Sequence, residues 1–268
     1  MKKVDIITLE GKSSGTIELP FQFSEEFRPD VIKRAFYSIQ NNNRQPYGTN
    51  LFAGLRTSAE FKGRRRDYGS NQNRGMHRTK RIRMRSGHLT GKARGVPGAV
   101  KGRRAHPPMA DRIWAQKIND KERRLAIRSA IAATTNSDIV KKRNHQLDGR
   151  AFPIIIEDKF ETLKKTKEVF DVLEKLGFTA ELERTKIKKV RAGVGKTRGR
   201  RYKKKVGPLI VTAKKAAIVA AAQNIAGITI APVRSLNAEL LAPGGEAGRL
   251  TIWTKSAIET LAKENLYK

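Results

Sequence analysis

PIIIED (Pro153 to Asp158) followed by KFETLKKTKEVFDVLEKLG (Lys159 to Gly177) decides the fold. The first stretch is a short, unbroken apolar run, the pattern of a strand buried on both faces. The second carries Phe160, Leu163, Val169, Phe170, Leu173 and Leu176 at helical spacing and stops at Gly177, a residue that accepts the left-handed turn after a helix. One helix from Phe160 to Leu176 is therefore expected. The same unit recurs downstream. PLIVT (208–212) reads as a strand and AAIVAAAQNIAG (216–227) as a small-residue helix. GITIAPV (227–233) and RLTIWT (249–254) add two more strands. Thr254 is placed to cap a last helix whose Ala257, Ile258, Leu261 and Ala262 face inward. Strand–helix repetition with apolar strands predicts a three-layer α/β/α domain around a mostly parallel sheet of about four strands.

Upstream, VDIITL (4–9) and GTIEL (15–19) read as two short strands joined by a Gly/Ser turn. Pro29 opens a helix with Val31, Ile32, Ala35, Phe36 and Ile39 on one face. Asn119 and Glu122 suggest a capping-box start for the helix DKERRLAIRSAIAAT (120–134), with Lys121, Arg124 and Arg128 on its outer face. Between these two helices the pattern fails. The segment FKGRRRDYGSNQNRGMHRTKRIRMRSGHLTGKARGVPGAVKGRR (61–104) holds eight glycines and no sustained period. Alone it buries too little apolar surface to offset the entropy of ordering. A loop this long within one domain is usually functional. The expected organisation is a discontinuous globular domain (1–48 and 110–268), an extended basic arm (49–109) inserted after the first helix, and a basic loop or hairpin at 184–206.

Charge follows that division. The 268 residues carry a formal net charge of +32. Residues 56–104 hold 16 Lys and Arg against Glu60 and Asp67, and residues 184–205 hold 12 with no acid. The other 197 residues are net +6, an ordinary value. Such clustering points to a polyanionic partner. The candidate phosphate-facing residues of the arm are Arg56, Lys62, Arg64, Arg65, Arg66, Arg74, Arg78, Lys80, Arg81, Arg83, Arg85, Lys92, Arg94, Lys101, Arg103 and Arg104. In the globular part they are Arg124, Arg128, Lys188, Lys189, Arg191, Lys196, Arg198, Arg200 and Arg201.

Other chemistries find little support. The chain has no cysteine, which removes disulfides, thiolate zinc sites and thiol nucleophiles. His77, His88, His106 and His145 stand at no ligand spacing, so no metal or cofactor is expected. GVGKT (193–197) is half a phosphate loop: the position that needs the earlier glycine is Val190, and no buried strand precedes it. Glu157 and Asp158 stand at a strand end, where carboxylates are more often structural than catalytic. No apolar run approaches the ~20 residues of a membrane span. The expectation is a soluble, cytoplasmic nucleic-acid-binding protein. A free DNA- or chromatin-binding protein and an RNA-modifying enzyme remain alternatives on these residues alone.

KARGVPGAVKGRRAHPP (Lys92 to Pro108) and KINDKERRLAIRSAI (Lys117 to Ile131) resemble the uL4 family of large-subunit ribosomal proteins. The archaeal branch is expected, because the chain stops at Lys268 with no long basic tail after it. The resemblance spans the chain and implies a structural protein without catalysis. It implies that the domain sits on the outer side of the large subunit, and that the protein binds large-subunit rRNA early in assembly and contacts neighbouring ribosomal proteins. The arm then reaches the wall of the polypeptide exit tunnel and meets the nascent peptide at its tip. An arm that runs out and back through one reversal spans up to about 80 Å. The reversal is expected within Gly63 to Arg78, with Gly63, Gly69, Arg74, Gly75 and Arg78 as tunnel-lining candidates.

Overall fold

Ile154, Ile155 and Ile156 are all fully buried, so the run that decides the fold is a strand covered on both faces. The computed structural model describes residues 3–83, 87–146 and 151–268. By contacts the chain divides into Met1–Asn42 with Gln116–Lys268, and Asn43–Ala115. The first unit is mixed α/β. Its elements are β1 (Lys3–Ile7), β2 (Ser13–Glu18), α1 (Pro29–Asn42), α2 (Asp120–Ala133), α3 (Ser137–Lys142), β3 (Ile154–Ile156), α4 (Thr166–Lys175), α5 (Thr179–Lys186), β4 (Lys189–Val190), β5 (Tyr202–Lys203), β6 (Leu209–Thr212), α6 (Ile218–Ala222), β7 (Thr229–Pro232), α7 (Ala238–Leu241), β8 (Thr251–Thr254) and α8 (Lys255–Lys263).

The sheet has six strands in the order β2-β1-β3-β8-β6-β7, against the four expected. The difference lies in the N-terminal hairpin. β1 pairs in parallel with β3, so the antiparallel β1–β2 pair continues the main sheet. All other neighbours are parallel. Successive strand residues enter opposite cores, as a pleat requires. Ile155, Leu209, Val211 and Trp253 pack with Ile127 and Ile131 of α2 and Ile258 and Leu261 of α8. Ile154, Ile156, Ile210 and Ile252 pack with Val169 and Leu173 of α4, Leu182 of α5 and Ile218 of α6. Phe23 meets Trp253 edge-on, with ring centroids 5.1 Å apart.

Three local expectations are corrected. The helix expected from Phe160 is broken: Asp158–Thr162 is a 3-10 turn, Leu163 is extended, and α4 starts at Thr166. The break drives Phe160 into the core and frees Glu161 to reach across the strand ends. Gly177 does end the helical run, at φ 82°. Asn119 makes no side-chain cap, and Glu122 instead pairs with Arg34 at 3.0 Å. Finally, the basic segment does not begin as a loop, because Arg184 to Lys186 form the last turn of α5.

Candidate nucleic-acid interface

In open α/β sheets ligands collect outside the carboxyl ends of the strands. Here the carboxylates of that edge are engaged by the protein's own backbone and hydroxyls. Glu157 accepts from Leu9 N at 3.1 Å, after β1. Asp158 accepts from Ser256 N at 2.7 Å, at the start of α8. Glu161 accepts from Ala213 N at 3.1 Å and from the Thr254 hydroxyl at 2.6 Å. The Thr254 oxygen in turn caps α8 through Ala257 N at 3.3 Å. Each carboxylate thus ties strand ends or a helix start together. Among the described residues no group of His, Asp and Glu has metal-ligand geometry, and no helix is long and apolar enough to cross a membrane.

The hairpin β4–β5 carries most of the second basic segment. Lys189 faces Lys203 and Val190 faces Tyr202. GVGKT forms its turn, a single 3-10 turn over Val194–Lys196 capped by Gly193 at φ 74°. Lys188, Lys189, Arg191, Lys196, Arg198, Arg200 and Arg201 are all exposed there. The root is anchored by a buried carboxylate. Glu181 is fully buried, and Arg184 donates to it from Nε at 2.8 Å and Nη2 at 2.6 Å. His145 Nδ1 lies 2.6 Å from Glu181, and Gln146 N donates at 3.0 Å. Arg184 also donates to the Val206 carbonyl at 2.7 Å, where the hairpin returns. Burial alone raises the Glu181 carboxyl, but hydrogen bonds from Arg184, His145 and Gln146 outweigh it and hold the group below the usual range. Burial keeps His145 below its ordinary value despite the Glu181 carboxylate.

On α2, Arg124 donates to the Lys268 carbonyl at 2.9 Å, and Arg128 pairs with Glu25 at 2.6 Å. Arg128 is therefore spent largely within the protein.

The chain leaves α1 and re-enters before α2 through adjacent backbone: Gln116 N donates to Asn42 Oδ1 at 2.9 Å, and Ser38 donates to the Gln116 carbonyl at 2.6 Å. The unit between, Asn43–Ala115, is built differently. Its described residues include only three that are buried: Ala59, Asn71 and Ile82. Three passes of chain lie side by side. Glu60 and Arg81 exchange backbone hydrogen bonds of 3.1 and 3.0 Å, and Arg94 N donates to the Lys80 carbonyl at 3.1 Å. The chain therefore reverses twice, once between Lys62 and Lys80 and again between Ile82 and Lys92, where the expectation had one reversal. The pass carrying Arg81 and the buried Ile82 lies in the middle, with Glu60 on one side and Ala93 on the other. The limbs approach closely at Gly54, whose φ is 76° and where a Cβ would lie 2.6 Å from Arg103 N.

Three of the arm's arginines act as staples. Arg81 donates to the carbonyls of Gly91 (2.9 Å) and His77 (3.3 Å). Arg83 donates to the Gly69 carbonyl and to Asn71 Oδ1 (2.9 Å). Arg94 likewise donates to the Val100 carbonyl at 2.6 Å. Arg56, Arg64, Arg65, Arg66, Arg74, Arg78, Lys80, Lys92, Lys101, Arg103 and Arg104 are exposed, and Lys62 is half-buried. Arg85 lies outside the described residues. Gly69 (φ 70°) and Gly75 (φ 65°) make left-handed turns in the first loop, whereas Gly63 does not and packs against the Phe61 ring. Among the described residues, no Lys or Arg of 43–115 or of 186–205 is ion-paired, while 12 Lys or Arg ion pairs lie elsewhere in the chain.

Sequence reasoning missed a cluster at the base of this unit. Trp114 lies under the Arg44 guanidinium (3.9 Å) and near that of Arg112 (4.5 Å), and stacks with Tyr47 at 5.7 Å and 16°. The signal was available, since both aromatic residues are flanked by arginines: Arg44 precedes Tyr47, and Arg112 precedes Trp114.

The sequence model of the ribosomal protein L4/L1 family matches residues 17–264. Proteins named large ribosomal subunit protein uL4 are similar along their length. That of Nanoarchaeum equitans is 47% identical over 268 residues, covering 99% of each chain. That of Methanosphaera stadtmanae is 46% identical over 263 residues, covering 97% of this chain and 96% of its own. That of Archaeoglobus fulgidus is 45% identical over 262 residues, covering 97% of this chain and 98% of its own.

Proposed function

The chain belongs to the ribosomal protein L4/L1 family, and from that premise we propose that it is a structural, non-enzymatic part of the large ribosomal subunit that binds large-subunit rRNA through two cationic segments. The observation that carries this reading is the segregation of unpaired charge. Among the described residues, twelve lysines and arginines elsewhere pair with carboxylates, and none of those in 43–115 and 186–205 does. Closely packed phosphates are the partner that such a surface fits, and arginine's planar fork bridges two of them.

The arm's role follows from its composition. Glycines let two chain limbs pass within a width that side chains would exceed, which suits a protein threaded among RNA helices. Binding early in assembly fits an arm that RNA must close around. We place the first loop, Gly63 to Arg78, at the wall of the exit tunnel, with Gly63, Gly69, Arg74, Gly75 and Arg78 facing the nascent peptide. Neighbouring ribosomal proteins would meet the exposed faces of the domain.

Photo-crosslinkers placed singly from Gly63 to Arg78 in assembled large subunits test the finer claim. Labelling of a stalled nascent peptide is the expected result. Labelling of rRNA alone at every position removes the tunnel role and keeps the rRNA role. Absence of the protein from large subunits at moderate salt removes both.

A further inference from the structure

We infer that the cluster of Arg44, Tyr47, Arg112 and Trp114 is a stacking site for an unpaired nucleobase; the inference rests on the rRNA-binding reading and specifies one place within it. Four observations converge. First, the aromatic pair is held rigidly, because the Arg44 guanidinium lies over both rings, at 3.9 Å from Trp114 and 5.2 Å from Tyr47. Arg44 also reaches the Tyr47 hydroxyl at 3.4 Å. Second, the pair is not consumed by a core, since Tyr47 keeps 49% of its surface exposed. Third, the rings open onto a cavity of about 280 Å³, roomy enough for one base, with Arg104 and His106 on its wall. Fourth, none of Arg44, Arg104 and Arg112 is ion-paired among the described residues, and no carboxylate lines the cavity.

Each feature matches what an extruded base needs. Single-stranded RNA is recognised by stacking on aromatic rings and guanidinium planes, while its backbone tracks cationic groups. A duplex presents no free base face and offers only phosphates. Arg44 stays over the rings and orients them, and Arg104 and Arg112, on the cavity wall, would hold the phosphates flanking the base stacked there. A purely packing role would leave neither an open cavity nor three uncompensated guanidinium groups beside a half-exposed ring.

The test uses the full-length protein and three RNA probes of equal length: a single strand, a duplex, and a single strand with abasic positions. The chain has two tryptophans. Trp253 is fully buried in the sheet, so quenching by RNA reports on Trp114. The intact single strand should quench the emission, and the abasic strand and the duplex should not. Tyr47→Ala should weaken single-strand binding about 5- to 100-fold, the range of one base–aromatic stack, and leave duplex binding within twofold. Tyr47→Phe should bind like the parent, and an unchanged far-ultraviolet spectrum shows the domain intact. Equal quenching by intact and abasic strands, or equal loss of single-strand and duplex binding in Tyr47→Ala, overturns the stacking site while rRNA binding stands. Failure of all three RNAs to bind overturns the rRNA-binding reading itself.

Discussion

The domain and the arm are held by different forces. In the domain, strands buried on both faces feed two apolar cores, and side chains such as Trp253, Phe160 and Ile155 are wholly removed from water. In the arm unit, Ala59 and Ile82 are the buried apolar residues among those described, and order comes from backbone pairing, glycine turns and arginines that donate to carbonyls. The first is stable by burial. The second trades hydrogen bonds with water for hydrogen bonds with itself, worth only about 0.5–1.5 kcal/mol net each. A region of that kind gains most from an anionic partner, which is the reading proposed above.

The largest test of this contrast is electrostatic. If on the order of ten arm and hairpin cations meet phosphates, log K for rRNA should fall by about 7–9 units per decade of salt. Replacing Arg64, Arg65 and Arg66 with Gln should lower that slope by about 2–3. Replacing Arg123 and Arg234, which pair with Asp120 and Glu264, should leave it within error. Filter binding across a salt series reads both, and equal effects from the two sets would erase the distinction between free and paired cations.

A stability measurement sharpens the same contrast. Trp253→Ala should cost the domain about 3–5 kcal/mol in chemical denaturation, from lost burial and the cavity left behind. Arg83→Lys should leave that transition unmoved. A lysine cannot reproduce the fork that reaches Gly69 and Asn71. Hydrogen exchange should therefore rise across Gly69 to Asn71, and trypsin cleavage should rise at the flanking Arg66 and Arg74. Unchanged exchange there would mean that Arg83 does not organise the first loop.

The hairpin root gives the smallest effect. Glu181→Gln should cost about 3 kcal/mol, because it leaves Arg184 without its buried counter-charge. The pH dependence has one sign. Glu181 and His145 both sit below their ordinary values in the folded chain, so the unfolded chain binds protons first. Stability should hold above about pH 6.5, decline as the unfolded histidine protonates, and decline further below the ordinary carboxylate range. Glu181→Gln should flatten the lower part of that decline. A stability independent of pH between 4 and 7 would sink the account.

Most of the domain was legible because periodicity encodes burial. Ile154 to Ile156, Leu209 to Thr212, and Ala257, Ile258 and Leu261 of α8 stand as their patterns indicate, whereas Ala262, expected inward, is exposed. What escaped was non-local. Nothing in Val4 to Leu9 says that its partner is β3, 150 residues away, and nothing in Lys159 to Lys165 says that Glu161 is wanted at the ends of β6 and β8. The interface was legible as composition and illegible as geometry. Arg81 and Arg83 look like their neighbours in sequence, and only the fold of the arm separates staples from free cations.

The carboxylates fastened at the strand ends have a further consequence. An α/β sheet of this kind ordinarily keeps a vacancy at that edge, and the vacancy is how such folds acquire small-molecule chemistry. Here Glu157, Asp158 and Glu161 are bound into that edge by hydrogen bonds that fasten the strand ends and α8. A substitution that empties the edge therefore loosens the scaffold in the same stroke. The domain is in that sense committed to being a fixed part of something larger: the opening through which it would take up a separate chemical career is also one of its fastenings.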